Sequence, residues 1–346
     1  MDRNMTPLPQ RVNFSGSART FFGIWIVNVL LSALTLGIYS AWAKVRTRQY
    51  FYQNTTVGDR RFDYHATGGQ IFKGRLIVVL GLILLQIPLI NIVLLLALIV
   101  MVPWLLNRSI AFNARMTSFS GVRFGFSGTY WGAFKSYLLY PILSVFTAYT
   151  TLPIVIRAQH RYYVNGHRLG QAGFAFNSPL KPFYTAFGIA IGWAVFAVLV
   201  LGAIGFVTGA LAPLFDPYGM QPMFVPVAFL WVAFIVAFLP AGFIYSALIR
   251  NQVYASTQLD GAHQFRSTVR PFVLMTLAVS NALAIICSLG FATPWAHIRM
   301  ARYLADNTII LAAGTMDEFV DTQEGAGSAI GDAYTDIEGI DLGVAI

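Results

Sequence analysis

The sequence predicts a mostly α-helical, polytopic membrane protein built from internal repeats, with short β-hairpins in the polar segments between membrane helices. Three observations predict it. First, the 346 residues are 57% hydrophobic and 11% charged, with a mean hydropathy of +0.64, whereas soluble domains carry about 25% charged residues. Second, all 23 Lys and Arg lie outside four blocks, 76–107, 136–156, 182–249 and 271–298, and residues 20–43 form a fifth uncharged block. Charge is costly in hydrocarbon, so uncharged runs of this length read as membrane-embedded. Third, one polar device recurs five times.

In its first copy an apolar run ends in Trp42, and Arg46, Tyr50 and Asn54 follow at steps of four, before the alternating Phe62 and Tyr64. The second copy has Trp104, Arg108, Phe112, Met116, Phe124 and Phe126 at the same offsets. The third has Arg157, Asn165, Phe174 and Phe176, and the fourth Arg250, Tyr254, Gln258 and Phe265. The last has Trp295, Arg299, Tyr303 and Asn307. Self-similarity of this kind indicates a repeated architecture.

Taken in order, residues 1–19 are a polar N-terminal segment, 20–312 the membrane domain and 313–346 an acidic tail. The run 20–43 is too long for a signal-peptide core, so it is expected to be an uncleaved first membrane helix. Residues 40–55 continue it as a cationic helix end, and 55–64 alternate around Gly58-Asp59, a hairpin signal. Pro88 and Asn91 interrupt 76–106, which suits a tight helical pair, and 136–156 suits one crossing kinked at Pro141 and Pro153. Residues 183–212 and 223–249 read as two membrane helices, joined by a loop holding Asp216 and no Lys or Arg, the mark of an outside loop. Block 271–298 repeats the first: Asn28 and Asn281 precede Gly37 and Gly290 by nine residues and Trp42 and Trp295 by fourteen. Block lengths predict about seven or eight membrane helices, and charge places 157–182 and 250–270 in the cytoplasm. The aromatic faces of the hairpins are expected to meet in a small extramembrane layer, because one isolated hairpin is marginal in water.

Composition narrows the function. Eight of the 14 acidic residues lie after residue 312, where no Lys or Arg occurs, so the body is strongly basic. Membrane lipids with anionic headgroups suit that excess, and no nucleic-acid module is visible. The single Cys287 excludes an intramolecular disulfide and a thiol metal cluster. No P-loop, Gly-x-Ser-x-Gly or His-Glu-x-x-His occurs, so neither an enzyme nor a cofactor is expected. His160 and His167 have metal-binding chemistry, but Asn165-Gly166 separates them and no carboxylate is near, so they read as headgroup-facing residues.

The repeated Arg carry the binding expectation. A guanidinium pairs bidentately with phosphate or carboxylate, which Lys does not match. Arg46, Arg108, Arg157, Arg250 and Arg299 each lie at a membrane-helix exit, most without a nearby acid. Either each snorkels to its own lipid headgroup, or several converge with Tyr50, Asn54, Asn165 and Asn307 on one basic ligand site. The intramembrane Asn28 and Asn281 serve helix–helix hydrogen bonding or line a polar pathway.

The run Thr35-Leu36-Gly37-Ile38-Tyr39-Ser40-Ala41-Trp42-Ala43-Lys44-Val45-Arg46, followed by Tyr50-Phe51, Asn54-Thr55-Thr56, Gly58 and Phe62-Asp63-Tyr64, resembles the YjgN-like family of bacterial inner-membrane proteins, defined by a domain of unknown function. The resemblance implies an inner-membrane location and supplies no reaction; the acidic tail does not map onto it. Two functional readings follow. One is a transporter or channel-like protein for an anionic or lipid-like substrate, on the strength of the repeats. The other is a non-transporting scaffold that binds lipid, an unidentified small molecule or a partner protein at the membrane surface.

Overall fold

The computed structural model describes residues 8–88, 90–215 and 223–314, together with Val320 and Gln323. Its ten strands are β1 (Leu8–Phe14), β2 (Thr55–Val57), β3 (Arg60–Tyr64), β4 (Thr117–Phe119), β5 (Val122–Phe126), β6 (His167–Leu169), β7 (Ala172–Phe176), β8 (Thr257–Leu259), β9 (His263–Ser267) and β10 (Thr308–Ala312). They form one closed antiparallel barrel in the order β1-β10-β9-β8-β7-β6-β5-β4-β3-β2. Closure runs through β1, whose Leu8–Arg11 half pairs with β10 and whose Val12–Phe14 half pairs with β2.

Helices leave and re-enter the barrel in pairs: α1 (Ala18–Leu34) with α2 (Ser40–Gln53), α3 (Gly68–Leu84) with α4 (Ile90–Arg115), and α5 (Tyr130–Phe134) and α6 (Tyr140–Phe146) with α7 (Leu152–Gly166). A π-helical turn, Lys135–Leu139, joins α5 to α6. The remaining pairs are α8 (Lys181–Val207) with α9 (Phe224–Ala255) and α10 (Pro271–Cys287) with α11 (Thr293–Asp306). Each pair starts after one strand and ends before the next, so all five project from the same end of the barrel.

The expected polytopic helical bundle with only short hairpins is thereby corrected. The hairpins exist where the alternation places them, but neighbouring hairpins pair edge to edge, as in Phe62↔Phe119 and Phe124↔Leu169. The physical reason is that strands of three and five residues are marginal alone and leave unpaired edges; closing the sheet removes both costs. The crossing count changes too. Among the described residues three helices, α4, α8 and α9, are long and apolar enough to cross a membrane. Block 20–43 is not one helix, because α1 stops at Leu34 and the chain turns back through 35–39. Block 271–298 does the same between α10 and α11, and 136–156 turns back at 147–151 instead of crossing once. Asp216 and nearly all of the acidic tail lie outside the described residues.

The three short pairs share one turn. Leu36 and Leu289 adopt φ of 50° and 51°, followed by Gly37 and Gly290 at 90° and 95°. The Gly37 and Gly290 N–H groups donate to the Ser32 and Ile285 carbonyls at 2.7 and 2.8 Å. That six-to-one bond with a left-handed residue is a Schellman stop. Tyr149, at φ 61°, donates its N–H to the Ser144 carbonyl in the same way, at 2.8 Å.

The barrel has a filled interior. Phe62, Phe124, Phe174 and Phe265 form a chain of aromatic contacts across β3, β5, β7 and β9, with successive centroids 6.4, 6.3 and 6.0 Å apart. Val57, Phe119, Val122, Leu169, Leu259 and Ile310 pack beside them, each contributing about 1.5–3 kcal/mol by burial. Val320, with 0% of its surface exposed, joins this core, and Gln323 Oε1 accepts the N–H groups of Gln171 and Ala172 at 2.8 and 3.2 Å. The end opposite the helices is thus closed by these residues. The outer wall carries exposed Arg11, Arg61, Arg123 and Arg168. With strands this short, it is built for water or headgroups and not for the apolar girdle of a membrane-spanning barrel.

Candidate functional site

The last turn of each helix that enters the barrel stands over its open mouth. Tyr52, Tyr163 and Tyr254 precede the first residues of β2, β6 and β8 by three, four and three positions. Below them lie Phe124, Phe174 and Phe265. Between this aromatic floor and helices α7 and α9 is a cavity of about 600 Å³, lined also by Tyr137, Gln159, His160 and His167. A second cavity of about 310 Å³ shares Tyr254 and Phe265 with it and is walled by Val12, Val57, Phe62, Leu304 and Ile310. Among the described residues its one cation is Arg250.

Arg250 donates from Nη2 to Thr308 Oγ1 at 3.1 Å and stacks its guanidinium 4.4 Å from the Tyr254 ring centre. Its Nε is shielded from solvent without a hydrogen-bond partner, and no acidic residue pairs with it among the described residues. An apolar chamber with an uncompensated guanidinium is chemically suited to an anion carrying an apolar body.

His160 and His167 bring a second polar element. His167 Nδ1 lies 2.6 Å from the Tyr163 carbonyl oxygen; a carbonyl only accepts, so Nδ1 carries the proton and Nε2 is left as an acceptor. Burial lowers the pKa of both imidazoles, partly opposed at His167 by that backbone bond. Both are therefore neutral in the fold at pH 7. Because the folded pKa lies below the unfolded value, the unfolded chain binds more protons as pH falls below about 6.5. Stability is expected to drop between pH 7 and 5, and His160→Gln with His167→Gln to flatten that slope; apparent melting temperatures across the range test it. No third His, Cys, Asp or Glu groups with them for a metal among the described residues.

The other residues singled out from the sequence are placed apart. Tyr50 donates its hydroxyl to the Ser17 carbonyl at 2.9 Å and accepts the Ser17 N–H at 2.8 Å. Asn54 ends α2, donating to the Tyr50 carbonyl at 2.7 Å and accepting from Ser15 Oγ at 3.3 Å. Tyr303 and Asn307 repeat this clamp on Arg270 and Thr268. Asn165 Oδ1 accepts the Phe176 N–H at 2.7 Å, and Arg157 Nε donates to the Ser178 carbonyl at 2.6 Å. Asn28 and Asn281 donate to the Ala43 and Ala296 carbonyls at 3.4 and 3.2 Å, tying each helix to its partner. Arg299 adds bonds to Ser280 Oγ and Asn281 Oδ1 at 2.7 and 3.3 Å. Arg46, 5.9 Å from the Tyr39 ring centre, lines a shallow cavity with Gln49, Tyr50 and Gln53, separate from the barrel mouth. Arg108 lies on α4.

Counting from the strands explains why Arg250 alone of the five lines the mouth cavities. Arg46, Arg108 and Arg299 sit nine residues before β2, β4 and β10, Arg157 ten before β6, and Arg250 seven before β8. Two residues turn a side chain roughly 200° about a helix. Tyr137, Gln159 and Tyr163 were not legible as site residues; the available signal was their distance from a strand, not from the preceding Trp.

The family described as bacterial protein of unknown function, DUF898, matches residues 9–337. The chain is 38% identical over 131 residues to the inner membrane protein YjgN of Escherichia coli O157:H7, covering 35% of this chain and 33% of that protein. It is 36% identical over 148 residues to the inner membrane protein YjgN of Salmonella typhimurium, covering 41% of this chain and 38% of that protein. The matched stretch thus spans little more than a third of these curated relatives. No solved structure matches the chain.

Proposed function

Because the chain belongs to the DUF898 family of bacterial proteins, whose curated relatives are inner membrane proteins, we propose that it is a multi-pass inner-membrane protein that binds an anionic amphiphile at the mouth of its barrel. The observation that carries this reading is Arg250, a guanidinium with a shielded, unpaired Nε in a chamber walled by Val, Ile, Leu and Phe. A carboxylate or phosphate would complete its hydrogen bonding, and an acyl chain would fill the adjoining aromatic cavity. Positive charge on the barrel wall and at the helix ends favours a cytoplasmic barrel.

Transport of the same ligand through the barrel is the competing reading. It needs a route past Phe62, Phe124, Phe174 and Phe265 and past Val320 at the far end, so the filled interior supports binding over passage.

Oleate and the uncharged oleyl alcohol, titrated against the purified full chain, test the reading. Arg250→Gln is expected to weaken oleate binding at least about tenfold, the equivalent of 1.4 kcal/mol, and to leave the alcohol unchanged. Equal oleate affinity for both proteins would sink it.

A further inference from the structure

We infer that the three short helical pairs, α1/α2, α5–α6/α7 and α10/α11, are re-entrant wedges whose apolar apices sit in the acyl-chain region of the barrel-side leaflet only, while α8/α9 crosses the whole bilayer. This concerns how the protein meets lipid and stands whether or not the barrel mouth takes a ligand.

The apices are apolar and bare. Leu36 is 95% exposed, Leu289 90% and Phe146 84%. They lie at the helical end of the barrel, the same end from which the long apolar α8 and α9 project. A surface of this kind in a member of an inner-membrane family is covered by lipid.

Depth follows from charge. Past Arg19 at the barrel end of α1 and Lys135 between α5 and α6, the descending arm of each pair is uncharged, but the returning helix is not. Exposed Lys44 lies four residues into α2, exposed Arg161 nine residues into α7, and exposed Arg302 nine into α11. At 1.5 Å per residue those charges stand roughly 6, 14 and 14 Å from the apex end of their helices. The hydrocarbon core is about 30 Å thick, so a pair that crossed it would drag an exposed cation into the hydrocarbon, to near mid-depth for Arg161 and Arg302. In α9 the first cation, Arg250, comes 26 residues after Phe224, roughly 39 Å along the axis and long enough to span.

Two further features fit partial insertion. Trp42 and Trp295, both exposed, lie two residues into α2 and α11, a depth that places their rings near the headgroup boundary. The Schellman stops reverse each chain with its turn carbonyls bonded, as a hydrocarbon apex requires.

The test uses single-cysteine forms of the full chain in a Cys287→Ser background, at positions 36, 146 and 289, with Arg61→Cys on the barrel wall and Phe215→Cys between α8 and α9 as references. A membrane-impermeant maleimide is applied to sealed right-side-out and inverted vesicles. Positions 36, 146 and 289 are expected to label in neither orientation, position 61 in one and position 215 in the other. Mid-chain nitroxide lipids are expected to quench a fluorophore attached at 36 or 289. Labelling of any apex together with 215 would mean a full crossing, and labelling together with 61 would mean no insertion; either overturns the inference. So would absence of quenching, or labelling of 61 and 215 from the same side.

Discussion

Phe119→Ala is expected to lower the unfolding free energy by about 3–5 kcal/mol, the usual cost of truncating a buried aromatic. Phe119 is buried on β4, faces the barrel axis, and contacts Phe62 with ring centres 4.8 Å apart. Its backbone pairs with Phe62 of β3, the junction between the first two hairpins. The cavity left behind sits where two independently marginal hairpins meet, so neighbouring strands cannot close it without breaking register. Apparent melting temperature of the purified protein is the readout. Phe119→Leu, which keeps most of the volume, should fall much less. An alanine variant that melts like the parent would mean that the barrel interior is not a packed core, and the argument against passage through it would fail with it.

Tyr50→Phe is the second large effect, about 1–3 kcal/mol, because it removes two hydrogen bonds at once and leaves the Ser17 N–H without its partner, while the Ser17 carbonyl keeps the Phe21 N–H at 3.1 Å. The Tyr50 hydroxyl serves both the N–H and the carbonyl of Ser17, which caps α1 by accepting the Thr20 N–H at 3.1 Å. The ring itself stacks on Phe21 at 5.2 Å and is unchanged by the substitution, so the loss isolates the hydrogen bonds. Tyr303→Phe removes the matching clamp on Arg270, which is more exposed, and is expected to cost less. Anionic-amphiphile binding should survive Tyr50→Phe. A variant of normal stability with lost binding would instead place Tyr50 in a ligand site.

Local pattern made part of this legible. The Leu36-Gly37 and Leu289-Gly290 pairs, with Asn28 and Asn281 nine residues upstream of each Gly, were visible as a repeated motif, and they fold as matching turns with matching Asn-to-backbone ties. The alternation of Phe62/Tyr64, Phe124/Phe126 and Phe174/Phe176 located five-residue strands. What pattern did not yield was β1, a polar-looking Leu8–Phe14 whose partners come from opposite ends of the chain. The candidate site suffered similarly: five Arg that look equivalent at the ends of apolar runs, three of them four residues after a Trp, are out of phase when counted from the strands, and only Arg250 lines the barrel-mouth cavities.

The sequence by itself determined the membrane character, the family, the places where helices give way to hairpins and the strand positions of Phe62, Phe124 and Phe174. Composition, charge spacing and period-two alternation are properties of neighbours along the chain, and they need no partner to be read. The tertiary structure alone decided that the hairpins close into one barrel, that three apolar blocks double back on themselves, and that Arg250 faces an apolar chamber. Each of these depends on which distant strand supplies the hydrogen bonds and on the angle at which a helix enters the sheet. A three-residue strand specifies its faces but not its partner, so that choice is made only when all ten strands pair together.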